Sequence, residues 1–361
     1  MKEIQTLMKT ALLVAVAVLF GAAVAQADTY SWQNLQSDIA GVAAHTDSNL
    51  VNPWGLAASA NGTIWVANNG TGTSTLYNQE GVANSLIVEI AKSRQNHGGA
   101  NPTGTVFNGT PSFVVTKDGV SGPSRFIFAS EDGSISGWNP TVDQTHSILA
   151  VDNGHQHHDA DAKNGNDLDN NGNNRAIYKG AAIGVAKGHN FLYVTNFHSG
   201  NVETYDENFH RVNQNAFADP DLPEGYAPFG IHTLNGEVFV TFAKQDQRRE
   251  DEVAGPGFGF VDAFDTSGNL LRRVVSHGLL NAPWGLALVN GELWVGNFGD
   301  GRINNYDPVT GALLKTLSTA DGTPLEFNGL WDLLPLGEGV YFTAGIADEE
   351  HGLFGLITED K

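Results

Sequence analysis

The sequence predicts an all-β fold, a six-bladed β-propeller of four-stranded antiparallel blades closed by an N-terminal strand. Three observations predict it. Short apolar runs are broken by Asn-Gly, Asp-Gly and Asp-Pro pairs, the signature of an antiparallel meander. One hexapeptide recurs, with Asn52-Pro53-Trp54-Gly55-Leu56-Ala57 nearly repeated as Ala282-Pro283-Trp284-Gly285-Leu286-Ala287. Six such openings follow one another at intervals of about 45 to 70 residues, the period range of propeller blades.

The fifth blade is the clearest. Residues 286–289, 292–297, 302–307 and 312–317 read as its four strands, with Asn290-Gly291, Gly299-Asp300-Gly301 and Asp307-Pro308 as their turns. The first blade repeats this through 63–68 (TIWVAN) and 75–78, with 86–90 as its outer strand. Residues 91–108, rich in Gly, Asn, Pro and Thr, read as a long loop. The second blade is expected to open at 111–114 and to continue through 126–129 and 135–139. Residues 152–179 are almost without apolar side chains, so they contribute nothing to a core and are expected outside the ring. The third blade runs through 182–185, 192–196 and 202–206, and the fourth through 228–231, 238–242 and 261–265 with a charged insertion at 244–257. The sixth, at 329–331, 340–343 and 353–357, supplies only three strands. Residues 30–35 are expected to complete it from the other end of the chain, which removes an open sheet edge.

Residues 1–27 stand apart from this propeller of residues 28–361. Lys2 and Lys9 precede an apolar run at 11–24, and Ala25-Gln26-Ala27 forms an A-x-A site, so a leader cleaved after Ala27 is expected. The apolar run is short for a span, and no membrane span is expected once the leader is gone. Export puts the mature chain in the periplasm or outside the cell. It has no cysteine, so no disulfide and no thiol nucleophile. The formal charge is −21, which repels phosphate backbones and argues against nucleic acid as a partner; solubility outside the cell accounts for the acidity as well.

In a propeller the ends of the second strands gather around one mouth of the central channel. Here those ends supply Asn68, Glu131, Asn196, Lys244 and Asn297, with His198, Asp246 and Asp300 just beyond. A carboxylate amid amide oxygens suits Ca²⁺ or a polar ligand held by hydrogen bonds. Tight turns demand the same residue types, which is the plainer reading of each. A second calcium candidate is Asp167-Leu168-Asp169-Asn170-Asn171-Gly172-Asn173, the first half of a calcium loop, in which Asp167, Asp169, Asn171 and Asn173 offer alternate oxygens. Its twelfth position is Tyr178 where such a loop has Glu.

The repeat P-W-G-L-A, then L-W-V-x-N and x-I-x-x-Y-D, resembles the NHL-type propeller repeat. Residues 49–77, 126–140, 195–200, 243–246, 282–301 and 351–355 together resemble an uncharacterised family of secreted bacterial propellers, whose members often carry a PEP-CTERM sorting tail that is missing here. That resemblance implies fold and export, and no activity. More distantly the chain is similar to calcium-dependent lactonases of the gluconolactonase type, which place a Glu, two Asn and an Asp at the channel mouth; Glu131, Asn196 and Asn297 lie at comparable places. Three functions are therefore carried forward: a propeller binding a small-molecule, carbohydrate or protein ligand at its mouth, a metal-dependent lactonase, and a structural component of the exterior matrix.

Overall fold

The computed structural model describes residues 28–154, 175–212 and 216–360. The leader, the calcium-loop residues Asp167, Asp169, Asn171 and Asn173, and most of the 152–179 insertion lie outside them. Six antiparallel sheets of four principal strands surround one axis. Blade six closes as expected: Tyr30–Ser37 pairs antiparallel with Leu353–Glu359, and the short strand His45–Thr46 extends it. Among the described residues no helix is long and apolar enough to cross a membrane.

Blade two opens earlier than the sequence reading has it. Its inner strand is Pro102–Phe107, inside the stretch read as a loop. Residues 111–114, read as that opening, instead lead into a separate hairpin of residues 114–117 and 120–123 between the first and second strands. Asn101-Pro102-Thr103-Gly104 is the Asn52-Pro53-Trp54-Gly55 motif with Thr in place of Trp. Asn52 and Asn101 share a left-handed backbone, with φ of 44° and 53°, and Ala282 before the fifth blade's Pro-Trp-Gly has 46°.

Register aligns the six inner strands on one ring of side chains: Trp54, Thr103, Lys179, Phe229, Trp284 and Trp331. Five of them precede a glycine, and proximity to the next blade explains why. A Cβ at Gly55 would stand 2.5 Å from the carbonyl oxygen of Thr103, and at Gly180 2.9 Å from that of Phe229. At Gly104, Gly230 and Gly285 it would come closer still to the following blade's backbone. Blade six has Asp332 instead, and its carboxylate accepts from Leu56 N of blade one at 2.7 Å. Threonines carry the same stitching: Thr195 Oγ1 donates to Phe229 O at 2.7 Å and Thr343 Oγ1 to Trp54 O at 2.5 Å.

Aromatic rings fill the axis. Trp54 stacks on Trp331 with centroids 3.4 Å apart, and meets Trp284 at 6.0 Å and Phe229 at 6.4 Å. Blades one and four face each other across a six-membered ring, so contact between Trp54 and Phe229 closes the channel at this level. Phe197 and Phe298 join the same buried cluster.

Candidate functional site

Strand alternation decides which of the sequence-selected residues reach the axis. Asn68, Asn196 and Asn297 pair with Pro53, Tyr178 and Pro283, and their side chains turn into their own blades. Asn68 Nδ2 donates to Thr75 Oγ1 at 3.0 Å, and Asn196 Nδ2 to Glu203 at 2.9 Å. Asn297 Nδ2 donates to Leu279 O at 2.7 Å and to Asp300 at 3.1 Å. Asp300 also accepts from Arg302 N, which makes it a turn residue. The position equivalent to these asparagines is Ser130 in blade two and Phe242 in blade four. Glu131 lies one residue beyond it and Lys244 two, so the five residues do not share one place in the ring.

That single step puts Glu131 on the mouth, because the next residue along each second strand faces the axis. Its counterparts include Asn69, Phe197 and Phe298. Lys244 instead lies over the Phe258 ring at 4.2 Å, and Asp246 accepts from Glu250 N at 2.9 Å to fold the 244–257 insertion. His198 is buried beside the Arg175–Glu250 ion pair. Burial, and then the Arg175 charge, depress its pKa, although the Arg249 main chain favours the protonated ring.

Lys179, which the sequence reading left in the 152–179 insertion, is the centre of the mouth. It is 1% exposed. Its ammonium donates to Glu131 Oε1 at 2.5 Å and Asp251 Oδ1 at 3.1 Å, and lies 5.3 Å from the Trp54 ring centroid. Glu131 Oε2 accepts from Asn69 Nδ2 at 2.8 Å. From blade six, Glu349 accepts from Asn52 Nδ2 at 2.7 Å, and Asn52 Oδ1 accepts from Trp331 Nε1 at 3.0 Å. Glu349 is carried by an unusual backbone: Ala347, Asp348 and Glu349 are consecutive left-handed residues, with φ of 55°, 54° and 65°. Such residues persist only where their surroundings hold them, and they gather at working sites.

Among the described residues the charges at the mouth are four carboxylates, Glu131, Asp251, Glu252 and Glu349, against one ammonium. Burial alone would push the Lys179 pKa down, but Glu131, Glu252 and Asp251 outweigh it and hold the group protonated. Glu252 is pushed up to about 8, by burial first and then by Glu349 and Asp251, against the pull of Lys179. Glu252 is half-buried, and the protein packed around it at the mouth sets the desolvation cost. Burial likewise raises Glu349. Among the described residues no group of three or more His, Asp or Glu side chains is placed to hold a metal ion.

Two mimivirus proteins resemble the chain along most of its length. The uncharacterized protein R648 of Acanthamoeba polyphaga mimivirus is 30% identical over 352 residues, covering 92% of this chain and 81% of that protein. The chain belongs to this mimivirus protein family. A second member, the uncharacterized protein L690 of the same virus, is 30% identical over 336 residues, covering 89% of the chain and 83% of that protein. The sequence reading placed the chain among bacterial proteins, whereas the relatives that show this family are mimivirus proteins. No family model matches it. The fold is shared with the putative oxidoreductase (glucose dehydrogenase) from Thermus thermophilus, at a TM-score of 0.53 and 14% identity over 91% of this chain and 99% of that one. It is shared also with a gluconolactonase from Xanthomonas campestris, at 0.51 and 13% over 86% and 87%. At these identities the two structures bear on the family's fold alone.

Proposed function

We propose that this protein is a binding propeller whose partner docks on the acidic mouth and presents basic groups to it. The observation that carries the reading is the surplus of carboxylates around Lys179, two of them with raised pKa and one held out by a left-handed run. A cationic group arriving there favours ionised Glu252, so the partner displaces a proton and binding strengthens as pH rises through about 8. The partner rests on top of the aromatic plug and does not thread the channel. Titration calorimetry with an oligolysine peptide tests this: tighter binding at pH 8.5 than at 6.5, with the pH dependence lost in Glu252→Gln, supports the reading. Binding that ignores both pH and the substitution overturns it.

The lactonase alternative draws less support. It needs Glu131, Asn196 and Asn297 around one ion, but both amides are bonded within their blades and Glu131 is held by Lys179. One observation favours a second reading, a purely structural component: the plug of Trp54, Phe229, Trp284 and Trp331 leaves no open channel at its level. Export behind the leader at 1–27 and calcium at Asp167, Asp169, Asn171 and Asn173 remain part of the proposal, carried by sequence alone.

A further inference from the structure

Neighbouring blades are tied together at their outer clefts in a repeated way. In blades one, three, four and five the turn between strands three and four offers the carbonyl of its second residue to the preceding blade. Tyr341 of blade six donates its hydroxyl to Gln79 O of blade one at 2.9 Å, and Tyr193 of blade three to Thr266 O of blade four at 2.6 Å. Where the donor position holds no hydroxyl, another group substitutes. Arg272 Nε reaches Pro308 O at 2.9 Å, and Phe113 N of the inserted hairpin reaches Glu207 O at 2.7 Å.

The cleft between blades five and six breaks the pattern. Register places Trp294 where Tyr193 and Tyr341 stand in their own second strands. Blade six has no turn between strands three and four, because Leu353–Glu359 and Tyr30–Ser37 come from opposite ends of the sequence. The ring closure therefore removes the carbonyl that Trp294 would meet. Trp294 is 3% exposed, and its indole N–H has no acceptor among the described residues. It lines a cavity of about 270 Å³ with Tyr30, Val289, Val340 and Ile357, at whose rim stand Glu338 and Glu359.

We propose that this seam cavity is a binding site for a small neutral molecule with an apolar body and one carbonyl oxygen, which accepts from Trp294. The walls select the apolar body: Tyr30 meets Trp294 edge-on at 5.3 Å, and Val340 and Ile357 are buried. The orphaned N–H selects the acceptor, since no protein oxygen among the described residues meets it and an oxygen carried in by a ligand would. The two rim carboxylates select against acids. The volume lies just below the ~300–1,000 Å³ of drug-sized sites, which points to a single-ring molecule.

The test uses protein labelled with ¹⁵N at its indole nitrogens, the Trp294 signal being identified by its loss in Trp294→Phe. Titration with caprolactam is expected to move that one signal downfield and to saturate. Cyclohexanecarboxylate, an acid of similar size, is expected to bind at least about tenfold more weakly. Trp294→Phe keeps an aromatic ring in place and is expected to weaken lactam binding about fivefold to tenfold. Val289→Phe fills the cavity from its half-buried edge and is expected to abolish the shift. A Trp294 signal that the lactam leaves in place, as a site holding only water would give, overturns the proposal. So does equal binding of the acid, or lactam binding that survives Val289→Phe.

Discussion

Replacing Lys179 by Met removes the buried ammonium from the mouth and leaves the carboxylates Glu131, Asp251, Glu252 and Glu349 around it without their partner. Breaking a fully buried pair costs about 3–5 kcal/mol, and an exposed one ~0–1 kcal/mol. Lys179 is almost fully buried, the Glu131 side chain is 26% exposed and Asp251 is 71% exposed. Glu131 therefore dominates and Asp251 adds little, which places the loss near 3 kcal/mol. Methionine still packs against Trp54 and Phe197, so apolar contact is largely kept and the loss is electrostatic. With an unfolding entropy of ~2.1 cal/mol/K per residue, a chain of this length loses about 4 °C in Tm. Adding Glu131→Gln to the variant removes one orphaned charge and recovers part of the loss. Calorimetric melts of both variants at about pH 7.5, where ordinary carboxylates are ionised, decide the matter. A Tm unchanged or raised by the single substitution, or no recovery in the double variant, refutes the reasoning.

Three further outcomes are expected. The Glu252 pKa is raised from 4.5 to about 8, so its contribution to stability is full below the unfolded value and is lost as pH rises through about 8; the wild-type Tm falls across that window, Glu252→Gln flattens the fall, and a variant with the parent's slope contradicts the assignment. Gly230→Ala drives a methyl into the Trp284 carbonyl and costs about 3 kcal/mol or more in urea unfolding, whereas Gly236→Ala, with φ of 83° and open space around it, costs about 1 kcal/mol; equal costs would remove the account of the inner ring. If Asp167, Asp169, Asn171 and Asn173 bind calcium, limited proteolysis between residues 152 and 179 slows with calcium and quickens with chelator, and identical cutting rates dismiss the site.

The blades were legible where the repeat kept its aromatic residue. Pro53-Trp54-Gly55, Pro228-Phe229-Gly230 and Pro283-Trp284-Gly285 announce inner strands because Pro, a large ring and Gly meet one geometric demand three times. Asn101-Pro102-Thr103-Gly104 meets the same demand, but without a ring it read as loop composition. Tyr178-Lys179-Gly180-Ala181-Ala182 was hidden similarly, at the end of a polar insertion that made its lysine look solvated. Both were recoverable by aligning on the glycine, which the next blade's backbone requires, instead of on the aromatic, which only fills space. The mouth was less legible. Glu131 and Lys244 stand one and two residues past the equivalent position, and one residue reverses the face on which a strand side chain stands. Glu349 reaches the mouth through a left-handed run that no residue type in Ala347-Asp348-Glu349 announces.

The six-fold repeat itself separates structure from function in this ring. Where blades agree, geometry is sufficient cause: the glycines pass the next backbone, the second-strand asparagines tie their strand ends to neighbouring segments, and the aromatic residues plug the axis. Where they disagree, closure of the ring does not explain the residue. A third-blade tryptophan or phenylalanine in place of Lys179 would complete the plug, since four of the other five positions already hold such rings. A lysine there is costly unless carboxylates meet it, and three segments supply them: the end of blade two's second strand, the 244–257 insertion, and the strained turn of blade six. Each of these is itself a departure from the repeat. Three independent departures converging on one buried ammonium are more than packing requires, and their convergence on a single rim is the physical reason for placing the binding surface there.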